Sequence, residues 1–366
     1  MASPLKYFAE LTDPRVARTR RHVLEDIVFI AIAAILCGAA SWDEMERFGK
    51  AKKLWLGSFL QLPHGIPSHD TFNRVFQTLA PQELEKSFLG WVSSVAQRSQ
   101  GEVVAIDGKA LRGSRTTDGK SIVHMVSAWA SANSLVLGQR KTDAKSNEIT
   151  AIPELLRTLE LAGATVTIDA MGCQRAIAGQ IVEQKANYLL AVKENQPSLL
   201  ADIKDSFQML AADAVDEQID CGHGRVETRR CSVVADLSLL DQASAWPSLQ
   251  AIVRVEATRF HKATGKQEQE TRYYITSLGA DAERLNQAIR QHWGIENKLH
   301  WVLDVAFGED LCRKRAGNAA QNFSLLNRFA LNLLRQDKSS RLGVHGKRLA
   351  AAWDHDYLLN LLAGAN

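Results

Sequence analysis

Apolar residues in the first quarter of the chain recur at the spacing of an α-helix. Residues 22–40 form a long run with few helix breakers, and residues 42–59 carry apolar side chains about every third or fourth position. A loop with two prolines and a glycine follows at 63–67, and Ser68 is a suitable N-cap for the next helix. The pattern predicts an all-α N-terminal domain over residues 1–95.

From residue 100 to about 195 the pattern changes to short apolar runs that alternate with helical stretches. Runs typical of strands occupy residues 103–106, 123–129, 135–138, 165–168 and 188–192. Helical spacing occupies residues 147–161 and 173–185. Strands that are followed by alternating helices and strands predict an α/β layer with a mixed sheet.

The segment from about 196 to 280 is richer in strand-forming residues than its surroundings. Its runs lie at 225–234, 250–259 and 271–276, separated by polar turns. Helical spacing returns at 282–307 and again at 318–334. We therefore expect a β-rich insertion, large enough for an extra subdomain, within an α/β catalytic domain over residues 100–366.

Composition is that of an ordinary globular protein and excludes several classes. The chain has 366 residues, of which 46% are hydrophobic and 23% are charged, and its net charge of +3 favours a polyanionic partner only weakly. Its five cysteines lack CxxC spacing, which argues against a disulfide framework or a zinc site. The most apolar run, 27–40, is shorter than the roughly 20 residues that span a bilayer. We expect a cytoplasmic protein with no membrane partner.

Three acidic residues occupy settings in which carboxylates can converge. Asp107 and Asp169 each follow a short apolar run and are expected at the carboxyl ends of strands, where open α/β sheets bind their ligands. Glu296 lies in a helical segment. Converging carboxylates hold divalent metal ions, which phosphoryl transfer requires. Each aspartate, taken alone, is better explained as a cap in a strand-to-turn corner.

The helix around Glu296 carries polar residues at a regular interval. His292, Glu296, His300 and Asp304 recur every four residues and so share one side. A half-buried carboxylate flanked by histidines needs a cation or a hydrogen-bond network. The alternative is a surface stripe of hydrogen-bonded polar residues.

Several basic residues are candidates for contacts with a nucleic-acid backbone. Lys109 and Arg112 follow Asp107 closely, and His223, Arg225 and Arg229 alternate onto one strand face. The alternative for that face is an ordinary exposed strand with paired charges. The nearby segment Lys145, Ser146 and Asn147 is most simply a helix entry with a capping residue.

These segments resemble those of bacterial insertion-sequence transposases of the DDE type, in particular the subgroup related to the H-repeat-associated proteins. The resemblance covers nearly the whole chain. It is carried by IPSHDTF at 66–72, AIDGK at 105–109, KSNEI at 145–149, TIDAMGCQ at 167–174, HGR at 223–225, HWGIEN at 292–297 and LHWVLDV at 299–305. Several long motifs in the same order are far more specific than a spacing of three acidic residues.

The resemblance implies an RNase H-like catalytic core with a β-rich insertion before the glutamate, preceded by a DNA-binding helical domain. It implies that Asp107, Asp169 and Glu296 form the catalytic triad and hold two Mg²⁺ or Mn²⁺ ions. The implied substrates are the terminal inverted repeats of a transposon and target DNA, bound by a homodimer or a larger oligomer.

One departure from the wider superfamily concerns phosphate contacts. Many relatives carry Tyr, Arg, Glu and Lys at the positions that hold Ile289, His292, Glu296 and Leu303 here. We therefore expect the missing contacts from Lys298, Arg313 or Lys314, with His292 and His300 as further candidates. The expected activity is DNA strand cleavage at transposon ends followed by strand transfer. The alternatives are an RNase H-like nuclease without strand transfer and a catalytically decayed DNA-binding repressor.

Overall fold

A computed structural model describes residues 4–96, 101–115, 121–142, 148–222 and 224–364. The helices are α1 (Leu24–Leu36), α2 (Trp42–Ala51), α3 (Lys53–Leu56), α4 (His69–Thr78), α5 (Pro81–Val95), α6 (Glu148–Thr158), α7 (Arg175–Glu183), α8 (Pro197–Met209), α9 (Ala282–His292), α10 (Trp301–Phe307), α11 (Ala319–Gln336), α12 (Val344–Trp353) and α13 (His355–Ala363). The strands are β1 (Val103–Leu111), β2 (Val123–Ala130), β3 (Leu135–Lys141), β4 (Thr165–Ile168), β5 (Asn187–Val192), β6 (Ala214–Gly222), β7 (Arg225–Val234), β8 (Ala251–His261) and β9 (Gln267–Thr276).

The nine strands found among the described residues belong to one mixed sheet of order β3-β2-β1-β4-β5-β9-β8-β7-β6. The first three strands form an antiparallel meander, and β4 and β5 run parallel to β1. The remaining strands extend the sheet antiparallel from β5. A mixed α/β sheet of this kind, behind an N-terminal helical region, confirms the expected RNase H-like fold class.

Helices cover both faces of the sheet and define two apolar cores. On one face, α6, α7 and α8 pack over alternate residues of the central strands, including Val104, Ile106 and Ile168. On the other face, α9 packs against the insertion strands, while α11 packs against β2 and β3. Side chains of β1 therefore alternate between the two faces of the sheet. Val104 and Ile106 face α6, α7 and α8, whereas Val103 and Ala105 face the opposite layer.

The residues of α1 are almost all buried, and this helix packs against α2 and the C-terminal helices α11, α12 and α13. Ser68 caps its helix as predicted and accepts from the backbone N–H of Thr71. Ser41, which the sequence analysis did not select, forms a capping box with Glu44. Helices α1, α2, α4 and α5 share one apolar core with the C-terminal helices α10–α13. In the described parts of the chain no helix is long and apolar enough to cross a membrane.

One expectation about a strand is wrong. Asp107 does not end its strand, because β1 continues to Leu111 through pairing with β2, although its pairing with β4 stops at Ile106. The β-rich insertion begins with helix α8, and its strands join the main sheet where β9 pairs with β5. Unsatisfied backbone groups at the edge of β5 explain why a β-rich insertion pairs there.

A buried ion pair lies against β2, near one edge of the sheet. The guanidinium of Arg328 on α11 is fully buried and lies 2.7 Å from the Glu309 carboxylate, which is also buried. Its Nε lies 3.4 Å from the hydroxyl of Ser127, the residue of β2 that pairs with Asp107. The pair therefore joins α11 to the segment after α10 and supports β2, the strand that pairs with β1 at Asp107.

We expect Arg328→Met to lower the free energy of unfolding by about 3–5 kcal/mol, because it leaves the Glu309 carboxylate buried without its partner. Urea denaturation measures the loss. The double variant with Glu309→Gln serves as the control and should recover part of it, since no buried charge remains. Equal stability of the single variant and the wild type would contradict this role.

Candidate active site

Strand pairing places the two aspartates side by side. The parallel register of β1 and β4 ends at the pair Ile106 and Ile168, so Asp107 and Asp169 are the next residues of neighbouring strands. Alternation along β1 directs Asp107 to the face that is covered by the helical segment of Glu296. The sheet therefore brings together two residues that are distant in sequence.

Glu296 lies on a π-helical turn, Ile295–His300, between α9 and α10. Ile295 and Leu299 on this turn are fully buried and fix it against the core, while the Glu296 side chain is 53% exposed. Such turns widen a helix locally and are frequent at functional sites. Here the turn directs Glu296 and His300 towards Asp107.

Three side chains meet closely at this point. His300 Nδ1 lies 3.4 Å from Asp107 Oδ2 and 3.7 Å from Glu296 Oε2. One ligand atom from each of these residues lies within 4.8 Å of the others, a spacing that suits a metal ion. Oxygen and imidazole donors of this kind are suitable ligands for a divalent cation.

Asp169 is next to this cluster but is oriented differently. Its Oδ1 accepts from the backbone N–H groups of Met171 and Gly172, at 3.1 and 3.4 Å, and so caps the short 3₁₀ turn that follows β4. The capping role that sequence reasoning allowed for an aspartate is therefore present here. Asp169 still acts on the site electrostatically, because its charge raises the pKa of Asp107.

Negative charge is concentrated at the site. Burial, followed by the charges of Glu296, Asp169 and Glu148, raises the pKa of Asp107 to about 8. Interaction with the His300 imidazole lowers the pKa of Glu296. Carboxylates that disfavour each other's ionisation fit a bound cation, which would relieve the repulsion.

Glu148 is a fourth carboxylate that the sequence analysis did not select as a site residue. It begins α6 on the opposite face of the sheet and approaches β1 at Gly108. A Cβ atom at Gly108 would lie 1.9 Å from Glu148 Oε1, so a glycine is required for this approach. The signal was available in the KSNEI motif, whose residues 145–147 lie outside the described part of the chain.

Lys109 forms ion pairs instead of facing solvent. Its Nζ lies 2.7 Å from both carboxylate oxygens of Asp304 and 3.2 Å from Asp310. Since Lys109 follows Asp107 on the same face of β1 and Asp304 follows Glu296 by two turns, this pair fastens the strand to the helical segment. Arg112 lies nearby, with an exposed side chain 3.4 Å from Asp310.

The other residues predicted to contact DNA occupy varied positions. His292 is hydrogen-bonded to Thr167 of β4 at 2.9 Å, between α9 and the sheet. The ammonium of Lys314 lies 3.5 Å from the centre of the Phe323 ring and donates to the backbone oxygen of Ala40. Arg313 is exposed, and His223 lies outside the described residues.

A basic cleft begins beside Glu296. Its volume is about 700 Å³, and Arg225, Arg229 and Lys298 from the sequence prediction all line it. Sequence reasoning missed its other basic side chains and its aromatic wall: Arg259, Arg272, Arg290 and Trp293. Arg272 stacks on the Trp293 ring at 4.5 Å. Two glutamates, Glu227 and Glu270, also line the cleft and pair with Arg259.

Comparisons with known proteins agree with this architecture. A family model described as "Transposase DDE domain" matches residues 98–333, and one described as "DDE_Tnp_1-associated" matches residues 5–92. "Putative transposase YncI" of Escherichia coli O157:H7 is 41% identical, with 100% of this chain and 95% of the relative covered. "H repeat-associated putative transposase YhhI" of Escherichia coli K12 is 38% identical, with 99% and 98% covered.

A mixed sheet with acidic residues on neighbouring strands and on an opposing helical turn is the arrangement expected of an RNase H-like fold. The match to the transposase DDE domain identifies the family within this fold, since it covers more than half of the chain. The chain belongs to the DDE transposase family, as its motifs predicted. Its relatives in this family include H-repeat-associated proteins.

The contribution of Asp107 to the stability of the metal-free protein should fall as pH rises from about 4 to 8. In this range the folded chain keeps a proton on Asp107 that the unfolded chain, with an ordinary pKa near 3.8, has released. Asp107→Asn cannot ionise and should gain stability over the wild type as pH rises, with little difference at pH 4. Thermal unfolding in a chelator at both pH values measures this. A constant difference would contradict the raised pKa.

Proposed function

We propose that this protein is an active transposase that cuts DNA at transposon ends and joins the freed end to target DNA. Asp107, Asp169 and Glu296 are its catalytic carboxylates and together hold two Mg²⁺ or Mn²⁺ ions. The observation that carries the proposal is the meeting of Asp107, Glu296 and His300 beside the strand end that bears Asp169, within a chain of the DDE family.

The chemistry is an in-line displacement at phosphorus. Bound divalent ions would activate the attacking oxygen and stabilise the leaving oxygen. In the first step water attacks, the bond from phosphorus to the 3′ oxygen breaks, and a 3′-hydroxyl is freed at the transposon end. In the second step that hydroxyl attacks a target phosphodiester. Each step forms one bond from oxygen to phosphorus and breaks another, so no covalent enzyme intermediate is needed.

The protein's own residues orient these partners. Lys109 holds the helical segment of Glu296 against β1, and Asp169 is fixed by backbone N–H groups at the end of β4. Fixed carboxylates keep the reacting phosphodiester close to its nucleophile, which is the main requirement of phosphoryl transfer. The exposure of Glu296 leaves the site open to a polymeric substrate.

The basic cleft is the proposed path of the DNA backbone next to the scissile bond. Its wall includes Trp293 and Lys298, which flank Glu296 in sequence, so the cleft lies close to the proposed site. Arginine guanidinium groups suit phosphate oxygens. We assign additional DNA contacts to the N-terminal helical region and to exposed Arg112 and Arg313.

We expect Asp107→Asn, Asp169→Asn and Glu296→Gln each to abolish cleavage of a labelled transposon-end duplex, because each removes a charge that holds metal while keeping the side chain's shape. DNA binding in a mobility-shift assay should remain largely intact. Asp205→Asn, an exposed aspartate on α8, is the matched control and should cleave normally.

Retained cleavage in any of the three variants would overturn the assignment of that residue. A strand-transfer assay with a pre-cut end separates a transposase from a nuclease that does not rejoin. DNA binding without metal-dependent cleavage by the wild type would instead indicate a repressor.

Arg225→Gln should reduce the slope of log affinity against log salt concentration by about one, because one phosphate contact and its released counterions are lost. The exposed Arg157 on α6, on the other face of the sheet, provides the control, and Arg157→Gln should leave the slope unchanged. Fluorescence anisotropy with the end duplex over a salt series measures both. Identical slopes for both variants would remove Arg225 from the interface.

A further inference from the structure

His300 places a nitrogen atom in a cluster that is otherwise made of carboxylates. Its side chain is only 5% exposed, so the ring does not lie on the protein surface where a DNA backbone would pass. Its Nδ1 is directed at the two acidic residues that meet from β1 and the π-helical turn. The His300 ring therefore contacts the carboxylates inside the site and not the DNA-facing edge.

The distances favour a shared ion over a direct hydrogen bond. Separations of 3.4 and 3.7 Å exceed the usual 2.7–3.2 Å of a nitrogen–oxygen hydrogen bond. Ligands that bind an ion at about 2.1 Å and at right angles to each other are roughly 3 Å apart. A small inward adjustment of the three side chains would complete such a coordination.

We propose that His300 Nδ1, Asp107 and Glu296 are the protein ligands of one of the two ions at the site. This inference rests on the proposed function and adds a nitrogen donor to its three carboxylates. With Nδ1 on the ion, the ring proton lies on Nε2, which is buried and has no hydrogen-bond partner among the described residues.

The nature of the donor has a consequence for the choice of metal. Mg²⁺ takes oxygen ligands almost exclusively and keeps its waters, whereas first-row transition ions accept imidazole readily. The site of His300 should therefore bind Mn²⁺ more tightly than Mg²⁺. Loss of the imidazole should reduce the affinity for Mn²⁺ more than the affinity for Mg²⁺.

Electron spin-echo spectroscopy of Mn²⁺ bound to the full-length protein tests this directly, because it detects nitrogen nuclei bonded to the ion. We expect a nitrogen coupling in the wild type that is lost in His300→Gln. The coupling should persist in His355→Gln, whose ring stacks on Trp55 far along the chain from the site. Titration should show Mn²⁺ binding weakened at least about tenfold in His300→Gln.

Because His300 is buried, His300→Gln could fail to fold, so the wild type is also examined with ¹⁵N-labelled histidine. A change of the coupling to that of ¹⁵N confirms a histidine ligand without any substitution. Bound Mn²⁺ without a nitrogen coupling, or a coupling that survives in folded His300→Gln, overturns the assignment but leaves the carboxylate site in place. No Mn²⁺ binding at all overturns both this inference and the metal site of the proposed function.

Discussion

Repulsion between carboxylates in a half-buried space is the constraint on which the rest of this structure depends. Asp107 is directed into a site that also contains Glu296, with Asp169 and Glu148 close enough to raise its pKa. Like charges at such separations cost free energy unless a cation or a proton neutralises them. A fold that maintains this cost specifies a site for positive charge, which the proposed metal ions would supply.

Strand pairing, the π-helical turn and two ion pairs hold these carboxylates close together. Parallel pairing of β1 and β4 sets the two aspartates side by side, and the π-helical turn brings Glu296 and His300 over them. The ion pair from Lys109 to Asp304 fastens strand to helix. The buried ion pair of Arg328 and Glu309 supports β2, the strand next to β1. Polar contacts as well as the apolar core therefore hold the site in place.

Sequence reasoning predicted most of the elements, because strands and helices here follow clean apolar periodicities. It also selected Asp107 and Glu296 as metal ligands, and it selected His300 as a candidate for a DNA contact. The π-helical turn was not predictable from periodicity, which treats a helix as uniform. The partners of Lys109 and Lys314 depend on contacts over long sequence separations, and Glu148 reaches the site only because Gly108 has no side chain. A list of basic residues does not reveal which of them are already paired within the fold.

The most direct test of the central claim is a crystal structure of the protein bound to a transposon-end duplex and soaked in Mn²⁺, with anomalous scattering used to locate the ions. We expect two manganese peaks beside the scissile phosphate. One should lie between Asp107 and Glu296, and the other should be shared by Asp107 and Asp169. Peaks located elsewhere, or DNA bound with no ion among these three carboxylates, would contradict it.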